Sequence, residues 1–418
     1  MGKDTSKYLY IENLGCAKNQ VDAEVMAKIL GSDGYVLTDD ASKASLILVN
    51  TCGFIESARE ESINTFFELR SLNPKAKVII TGCLSQRYGK ELSEQLPEAD
   101  GIFGNRDLAQ ISSFVKNAES KTASLLVPEY PDPDADAYQR EKLFNFPGSA
   151  YLKISEGCNH RCGFCAIPII RGPLRSRPQH AILDEARTLA KRGIKEINLI
   201  AQDLAAYGSD WDGKSHFLEL LKQLTAIEGD FKVRLLYIHP DAFPLELLQM
   251  IKTNSKILPY FDIPIQHASV KLLRPMKRIG NAKTYTDLVS TIRRELPESV
   301  IRTTIMLGFP GEDDDDFNQV YDFVKKNRFN WMGSFVYSLE EGTYAATLTD
   351  EETHKALSKV AAKRQKKLQK LQEKISSEIL TSFVGKEYDV LIEELIEGED
   401  LAIGRFWGQA PEVDGLTV

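Results

Sequence analysis

The chain has 418 residues, of which 43% are hydrophobic and 27% are charged, a composition typical of a globular protein with two or three domains. No apolar run reaches the ~18 residues of a membrane helix, and the N-terminus lacks the apolar core of a signal peptide, so the sequence predicts a cytoplasmic protein without a membrane partner. Its 52 basic and 60 acidic residues give a formal net charge of −8, which disfavours a nucleic-acid binder that acts through overall charge.

Residues 1–116 alternate short apolar runs with helical patterns. Because alternating strands and helices form a parallel sheet, this segment is predicted to be an α/β domain. The predicted elements, starting with a strand, are Tyr8–Ile11, Gln20–Leu30, Ser45–Val49, Glu56–Leu69, Val78–Thr81 and Gln86–Leu96. Residues 117–148 contain Pro128, Pro131 and Pro133 and are predicted to be a linker.

Residues 149–345 repeat a strand–helix unit, a pattern that predicts an open (βα)6 partial barrel of parallel strands. The predicted strands are Tyr151–Ser155, Glu196–Ile200, Lys232–Ile238, Tyr260–Ile265, Ser299–Leu307 and Trp331–Tyr337. Helical patterns such as Ala181–Arg192 and Phe217–Ile227 separate them. A connecting helix is predicted within 346–381, and the strand-like pieces Glu387–Ile392 and Leu401–Phe406 predict a small all-β unit in 382–418.

The six cysteines fall into two groups. Cys16, Cys52 and Cys83 each follow a predicted strand of the N-terminal sheet. Because the carboxyl ends of parallel strands share one edge of a sheet, we expect these three cysteines to meet there. Three unrelated buried thiols are the alternative, since free cysteine is a common core residue.

Cys158, Cys162 and Cys165 form a compact CxxxCxxC loop after the first barrel strand. A [4Fe–4S] cluster normally takes four cysteines, so three would leave one iron open for a small molecule. A zinc site with His160 as the fourth ligand is the alternative, although closed zinc sites usually have paired ligand spacing.

Polar residues also follow other barrel strands, and they predict a substrate pocket at the barrel mouth. Gln202 and Asp203 follow the second strand, His239 follows the third, and Arg175 and Arg177 follow the cysteine loop. The arginines could pair with a carboxylate. For Gln202 and Asp203, capping of the next helix is an equally good interpretation.

The motifs around both cysteine groups resemble those of the radical S-adenosylmethionine (SAM) methylthiotransferase family. The stretch YLKISEGCNHRCGFCAIPIIRG is similar to the cluster loop of radical SAM enzymes, and LGCAKNQVDAE, VNTCGFIESA and TGCLSQRY are similar to the methylthiotransferase domain. The resemblance covers nearly the whole chain and implies two [4Fe–4S] clusters, one on each cysteine group. It also implies that SAM binds the open iron, with Gln202, Asp203, Arg175, Arg177 and His239 as candidate cofactor-binding residues.

Within this family, the chain resembles the branch that modifies an aspartate of small-subunit ribosomal protein twelve more than the branch that modifies tRNA adenosines. Gly-Phe-Ile follows Cys52, the barrel ends in YSLEEGT, and the tail GRFWGQAPEVDGLTV looks like a TRAM domain. From Phe383 onward there are two basic and nine acidic residues, which suits a basic ribosomal protein better than phosphates. A five-stranded TRAM barrel needs roughly 60 residues, so an abbreviated domain is expected.

The resemblance implies that a radical derived from SAM removes a hydrogen from the β-carbon of the substrate aspartate. It further implies that the auxiliary cluster supplies sulfur, that a second SAM supplies the methyl group, and that an electron donor such as a flavodoxin takes part. Two alternatives remain. One is a tRNA methylthiotransferase with the same chemistry, and the other is a non-enzymatic iron–sulfur or zinc-binding protein.

Overall fold

The computed structural model describes residues 7–120, 124–129 and 140–418. Pro131 and Pro133 of the predicted linker lie outside these described residues. The chain divides into two compact units, Met1–Phe144 with Ala166–Pro173 and Asn145–Cys165 with Leu174–Val418. Among the described residues, no helix combines the length and apolar character needed to cross a membrane.

The first unit is built on a six-stranded parallel sheet with the order β2-β1-β3-β4-β5-β6. Its elements are β1 (Lys7–Asn13), α1 (Ala17–Ser32), β2 (Tyr35–Leu37), β3 (Leu46–Thr51), α2 (Glu56–Leu72), β4 (Lys77–Gly82), α3 (Cys83–Gln95), β5 (Gly101–Gly104), α4 (Ile111–Ser120), β6 (Ser124–Leu126) and α5 (Ile167–Ile170). Strand β3 is buried along its whole length, as expected for a parallel strand covered on both faces. Strand β6 pairs with β5, so part of the predicted linker 117–148 belongs to this sheet.

The second unit contains the barrel strands, the long helix and a C-terminal hairpin. Its elements are β7 (Ser149–Lys153), β8 (Ser155–Glu156), β9 (Arg175–Ser176), α6 (Gln179–Lys191), β10 (Glu196–Ile200), α7 (Ser209–Asp212), α8 (Phe217–Thr225), β11 (Lys232–Leu236), α9 (Glu246–Thr253), β12 (Tyr260–Asp262), α10 (Val270–Leu273), α11 (Ala282–Glu295), β13 (Val300–Leu307), α12 (Asp314–Asn327), β14 (Trp331–Val336), α13 (Glu351–Thr381), β15 (Val390–Leu395) and β16 (Ala402–Phe406).

The six barrel strands lie side by side and parallel. They form two three-stranded sheets, β11-β10-β7 and β12-β13-β14. The sheets are joined where the Ile238 N–H donates to the carbonyl of Asp262 at 2.9 Å and where Val233 bridges to Ile257. In the part of the chain that the structure describes, β7 and β14 are not paired with each other, so the array is open. This confirms the predicted (βα)6 partial barrel.

The C-terminal segment is a small antiparallel hairpin of β15 and β16, extended by a bridge between Gly404 and Thr417. A buried ion-pair network joins it to the barrel. Arg405 of β16 contacts Glu393 at 2.7 Å and Glu196 of β10 at 2.9 Å, and Arg234 of β11 contacts Glu196 at 2.7 Å. The hairpin is therefore held by buried charges to Glu196, the first residue of β10, which Arg234 in the middle of β11 also contacts.

Replacing Arg405 by methionine should loosen this hairpin. Breaking a buried ion pair costs roughly 3–5 kcal/mol, because one carboxylate is left in a poorly solvated site. We expect amide hydrogen exchange in β15 and β16 to become faster by on the order of 100-fold or more, which follows such a loss of local stability. The control is Lys386→Met; the side chain of Lys386 is half exposed and makes only loose contacts, with Glu298 at 4.0 Å and with the ring of Phe383 at 5.9 Å from its centroid. Equal exchange rates in the two variants would contradict the role of Arg405.

The same network predicts how the hairpin responds to acid. Burial raises the pKa of Glu196, but the adjacent Arg234 and Arg405 outweigh it and hold that pKa below the ordinary value of 4.5. A lowered folded-state pKa stabilises the protein above the ordinary value, and this stabilisation is lost as the pH falls through the lowered pKa. The protection factors of the amides in β15 and β16, which are corrected for the intrinsic pH dependence of exchange, should therefore fall below about pH 4.5, and at a higher pH in Arg405→Met.

Candidate active site

Cys16, Cys52 and Cys83 lie at the carboxyl ends of three neighbouring strands of the first unit. Cys16 precedes α1 as its N-cap residue, Cys52 directly follows β3, and Cys83 follows β4 as the first residue of α3. Because β1, β3 and β4 are adjacent and parallel, these positions share one edge of the sheet. We call these three residues the N-terminal cysteine group.

Two glycines allow the backbones of this group to approach closely. A side chain at Gly15 would have its Cβ 3.1 Å from the Cβ of Cys52, and a side chain at Gly53 would have its Cβ 2.8 Å from the carbonyl oxygen of Cys83. Burial raises the pKa of Cys83 to about 12, Cys16 and Cys52 add to this rise, and Arg171 opposes it. A buried thiol of this kind becomes a thiolate when a metal centre supplies the positive charge, so the group fits a cluster.

Two polar side chains that the sequence did not single out surround the Cys83 sulfur. Asn105 Nδ2 donates to Cys83 Sγ at 3.3 Å, and Arg171 Nη2 donates to it at 3.5 Å. Both residues are buried. Neither could be found from spacing, because Arg171 lies far along the chain, after the cysteine loop.

Cys158, Cys162 and Cys165, the loop cysteine group, lie in the loop between β8 and α5. The Cys165 N–H donates to the carbonyl of Cys162 at 3.1 Å, which closes a turn between them. Gly163 is fixed on both sides, since its N–H donates to Met276 at 3.1 Å and its carbonyl accepts from Ala345 at 2.7 Å. The loop is therefore held in place by the segments after α10 and after β14.

The zinc interpretation of this loop is not favoured, because His160 has other partners. His160 Nε2 lies 2.7 Å from Asp203 Oδ2, and its ring stacks on that of His239 with centroids 4.2 Å apart.

Asp203 and His239 organise the carboxyl ends of β10 and β11. Asp203 Oδ1 accepts the N–H groups of Ala205 and His239, each at 3.1 Å, so the capping role that the sequence also allowed is present. His239 Nδ1 accepts the N–H of Asp241 at 3.2 Å. Burial, Arg278 and His160 lower the pKa of His239 to about 3, so its ring is neutral at ordinary pH.

The remaining predicted cofactor residues differ in their surroundings. Both polar atoms of the Gln202 side chain are buried and have no hydrogen-bond partner among the described residues. Arg175 lies in β9, paired with Glu156 of β8 in the strand register. Arg177 is buried and donates to Glu185 at 2.8 Å and to the carbonyl of Lys153 at 2.6 Å. Arg177 thus already has a carboxylate partner on α6.

A buried arginine near the loop cysteine group was missed by the sequence analysis. Arg278 is 1% exposed, and its Nη1 donates to the carbonyl of Pro264 at 3.4 Å. Its side chain also forms a hydrogen bond with that of Tyr237, while its Nε and Nη2 have no other hydrogen-bond partner in the described part of the chain. Burial opposes its charge, but the neighbouring Tyr237 and Cys162 raise the pKa of the guanidinium. It does not follow a predicted strand directly, so no local pattern in the sequence singled it out.

Gln266 is a second polar residue at the strand ends with unusual geometry. It has a φ of +72° and its Oε1 is buried without a hydrogen-bond partner among the described residues. Positive φ in a residue other than glycine costs free energy and is common at ligand sites. Gln202, Gln266 and Arg278 therefore present unsatisfied polar groups from one unit, as a site for a polar ligand does.

Comparisons with known proteins agree with this organisation. Family models match residues 8–104 (uncharacterized protein family UPF0004), 152–324 (radical SAM superfamily) and 384–418 (TRAM domain). The ribosomal protein uS12 methylthiotransferase RimO of Treponema denticola is 46% identical over 97% of this chain and 91% of its own length. This chain belongs to the RimO family. The Myxococcus xanthus RimO is 42% identical over 100% of this chain and 87% of its own length.

Solved structures share the fold of this RimO-family chain at low sequence identity. The radical SAM methyltransferase TsrM from Kitasatospora setae aligns with a TM-score of 0.59 and 16% identity, over 79% of this chain and 73% of that one. The cobalamin-dependent SAM radical enzyme OxsB aligns with a TM-score of 0.54 and 12% identity, over 84% and 56%. Radical SAM membership implies a [4Fe–4S] cluster and SAM as cofactors.

Proposed function

We propose that this chain attaches a methylthio group to the β-carbon of an aspartate in ribosomal protein uS12, using SAM and two [4Fe–4S] clusters. The observation that carries the proposal is the convergence of the N-terminal cysteine group at one sheet edge of a RimO-family chain. A radical SAM enzyme needs only the loop cysteine group for its shared chemistry. A second group of three cysteines supports the further task of sulfur insertion.

The loop cysteine group would hold the cluster that binds SAM. That cluster, with SAM on its open iron, supplies the radical that removes a hydrogen too weakly acidic for any side-chain base. The chain's own part is to orient SAM and to exclude water. The buried amides of Gln202 and Gln266 and the buried guanidinium of Arg278 are the groups we assign to the polar parts of SAM.

Asp203, His239 and Arg175 would complete this pocket in different ways. Asp203 fixes His160 and the backbone of His239, so it orients the cysteine loop and the β11 end together. The neutral ring of His239 offers a flat face for stacking and no charge. Arg175, on the strand that follows the loop, remains a candidate for a carboxylate.

The N-terminal cysteine group would hold the auxiliary cluster. That cluster supplies the sulfur atom for the product. Cys16 is exposed, whereas Cys83 is buried, so the group opens to solvent on the side of Cys16. This difference suits a cluster that must be reached by a substrate while its buried ligand keeps it attached.

The charge of the C-terminal segment, residues 383–418, supports a basic protein as the substrate. Of its two basic residues, Arg405 is buried against Glu196 and Glu393, so its charge is neutralised within the fold. Its exposed acidic residues are Glu387, Asp389, Glu394, Glu397, Glu399, Asp400 and Glu412. Such a surface attracts a basic ribosomal protein and repels phosphates. A low-potential electron donor such as a flavodoxin completes the proposed partners.

Offering uS12 and tRNA side by side to the reconstituted enzyme tests the substrate. With SAM and a reductant, mass spectrometry should find a methylthio group on one uS12 aspartate and none on tRNA adenosine. The physical reason is the acidic C-terminal surface, which disfavours the binding of a polyanion such as tRNA at physiological salt. A methylthiolated adenosine together with unmodified uS12 would overturn the proposal in favour of the tRNA branch.

A further inference from the structure

The sulfur of Cys83 lies among polar side chains of the first unit, namely two donors, Asn105 and Arg171, and one acceptor, Asn19 Oδ1, to which the thiol donates at 3.4 Å. Asn105 Nδ2 and Arg171 Nη2 approach it at 3.3 and 3.5 Å. Asn105 is 8% exposed and Arg171 is 3% exposed, so water competes little for these contacts. Donors aimed at a sulfur favour its electron-rich state, because N–H dipoles and a guanidinium charge interact more strongly as negative charge grows.

Arg171 is held in this position by its other partners. The two hydrogens of the same Nη2 also serve Asn19 Oδ1 at 2.7 Å and Asp22 Oδ2 at 3.0 Å, so the longer contact with the Cys83 sulfur shares a hydrogen with one of these oxygens. Asn19 is itself fixed, since its Nδ2 donates to the carbonyls of Leu14 and Thr51 at 3.0 and 2.9 Å. Asn19 and Asp22 of helix α1 therefore hold the guanidinium beside Cys83.

The segment that carries Arg171 is also built onto the first unit. Ala166 and Ile170 pack against Cys83 in one buried cluster. Arg106 donates to the carbonyls of Ile169 and Ile170 at 2.6 and 2.9 Å, which satisfies the end of the short helix α5. Ala166–Pro173 thus completes the wall of the Cys83 site, although it follows the loop cysteine group in the chain.

We propose that Arg171 and Asn105 tune the reduction potential of the auxiliary cluster through hydrogen bonds to the Cys83 sulfur. The proposal rests on the proposed function, since it requires a cluster on the N-terminal cysteine group. Hydrogen bonds to ligand sulfurs are among the factors that set cluster potentials. Donation from these two side chains stabilises the cluster that has gained one electron, and so raises its potential. Both are positioning residues that act through Cys83.

The test uses a background that contains only the auxiliary cluster. In the full chain with Cys158→Ala/Cys162→Ala/Cys165→Ala, anaerobic reconstitution should give about four irons per chain. If this background binds no iron, the proposed function fails, and the proposed effect on the reduction potential fails with it. A titration with dithionite, followed by the electron paramagnetic resonance of the reduced cluster, then measures the midpoint potential.

Two variants remove the donors separately. Arg171→Met/Asp22→Asn removes the guanidinium and its buried counter-charge together, so the net charge is unchanged and no carboxylate is left unpaired. Asn105→Leu removes the amide donor at similar volume, together with an amide oxygen that has no partner among the described residues. At the midpoint potential measured for the background, the ratio of reduced to oxidised cluster should be about tenfold lower in the double variant. This corresponds to a midpoint potential lowered by about 59 mV for one electron. The potential should fall by less in Asn105→Leu.

Arg106→Met is the matched control. It removes an arginine that anchors the same segment through backbone carbonyls, without a contact to the Cys83 sulfur. We expect its potential to match that of the background. The proposal would be overturned if both donor variants retained their iron and had unchanged potentials. It would also be overturned if Arg106→Met shifted the potential equally, because the effect would then come from displacement of the segment.

Discussion

Replacing Cys16, Cys52 and Cys83 by alanine is expected to lower the iron content of the anaerobically reconstituted protein from about eight to about four irons per chain, because each group of thiolates holds one four-iron cluster. The same variant should still cleave SAM when reduced, since the loop cysteine group is intact. It should form no methylthiolated uS12. Iron and sulfide analysis, SAM cleavage and product analysis on one preparation measure all three.

The reciprocal variant, Cys158→Ala/Cys162→Ala/Cys165→Ala, is the matched control for the first. It should also retain about four irons, but it should lose SAM cleavage together with methylthio transfer. The two variants thus have equal iron and differ in one partial reaction. An N-terminal triple variant with the same iron content as the parent would show that these cysteines hold no cluster, and the proposed function would fail.

Much of the fold could be predicted from periodicity, because the parallel strands are buried apolar runs between amphipathic helices. Strand β10 is found at Glu196–Ile200 as predicted. The strands β2, β5 and β6 were missed. Strand β5 has the sequence GIFG, and glycine weakens the strand pattern; yet a Cβ at Gly101 would lie 2.8 Å from the ring of Phe114. A glycine is required there by close packing between residues that are distant in the sequence, and no local sequence pattern reveals this requirement.

The cysteines of the candidate site could be predicted, because strand ends and CxxxCxxC spacing are local signals. The residues around them could not. Arg171 contacts Asn19 across 152 positions of the chain, and its role depends on a segment that leaves the barrel sequence to pack in the first unit. Arg177 carried the same local signal as Arg175, but Glu185 on the following helix is its partner. Charge alone therefore could not reveal that Arg177 has an internal ion-pair partner.

Arg278 is the residue outside the cysteines for which we expect the largest effect on cofactor binding. Its guanidinium is buried and bonds only Pro264 and Tyr237 among the described residues, so it keeps further N–H groups that a ligand carboxylate would accept. Truncating one partner of a buried, hydrogen-bonded charge pair commonly costs 2–5 kcal/mol. We therefore expect Arg278→Met to raise the Kd for SAM about 100-fold, equivalent to about 2.7 kcal/mol, while iron content stays at about eight.

The stability of Arg278→Met separates a binding role from a purely structural one. A buried charge without full compensation costs free energy in the absence of a ligand, so the variant should keep or raise the melting temperature of the SAM-free protein. The wild type should gain more stability from added SAM than the variant does, because stabilisation follows affinity. Lys277→Met removes the same charge from the exposed neighbouring residue. It should change neither the melting temperature of the SAM-free protein nor the stability gained from added SAM. If Arg278→Met instead lowers the melting temperature and leaves the Kd for SAM unchanged, Arg278 supports the fold through Pro264 and Tyr237 and does not bind the cofactor.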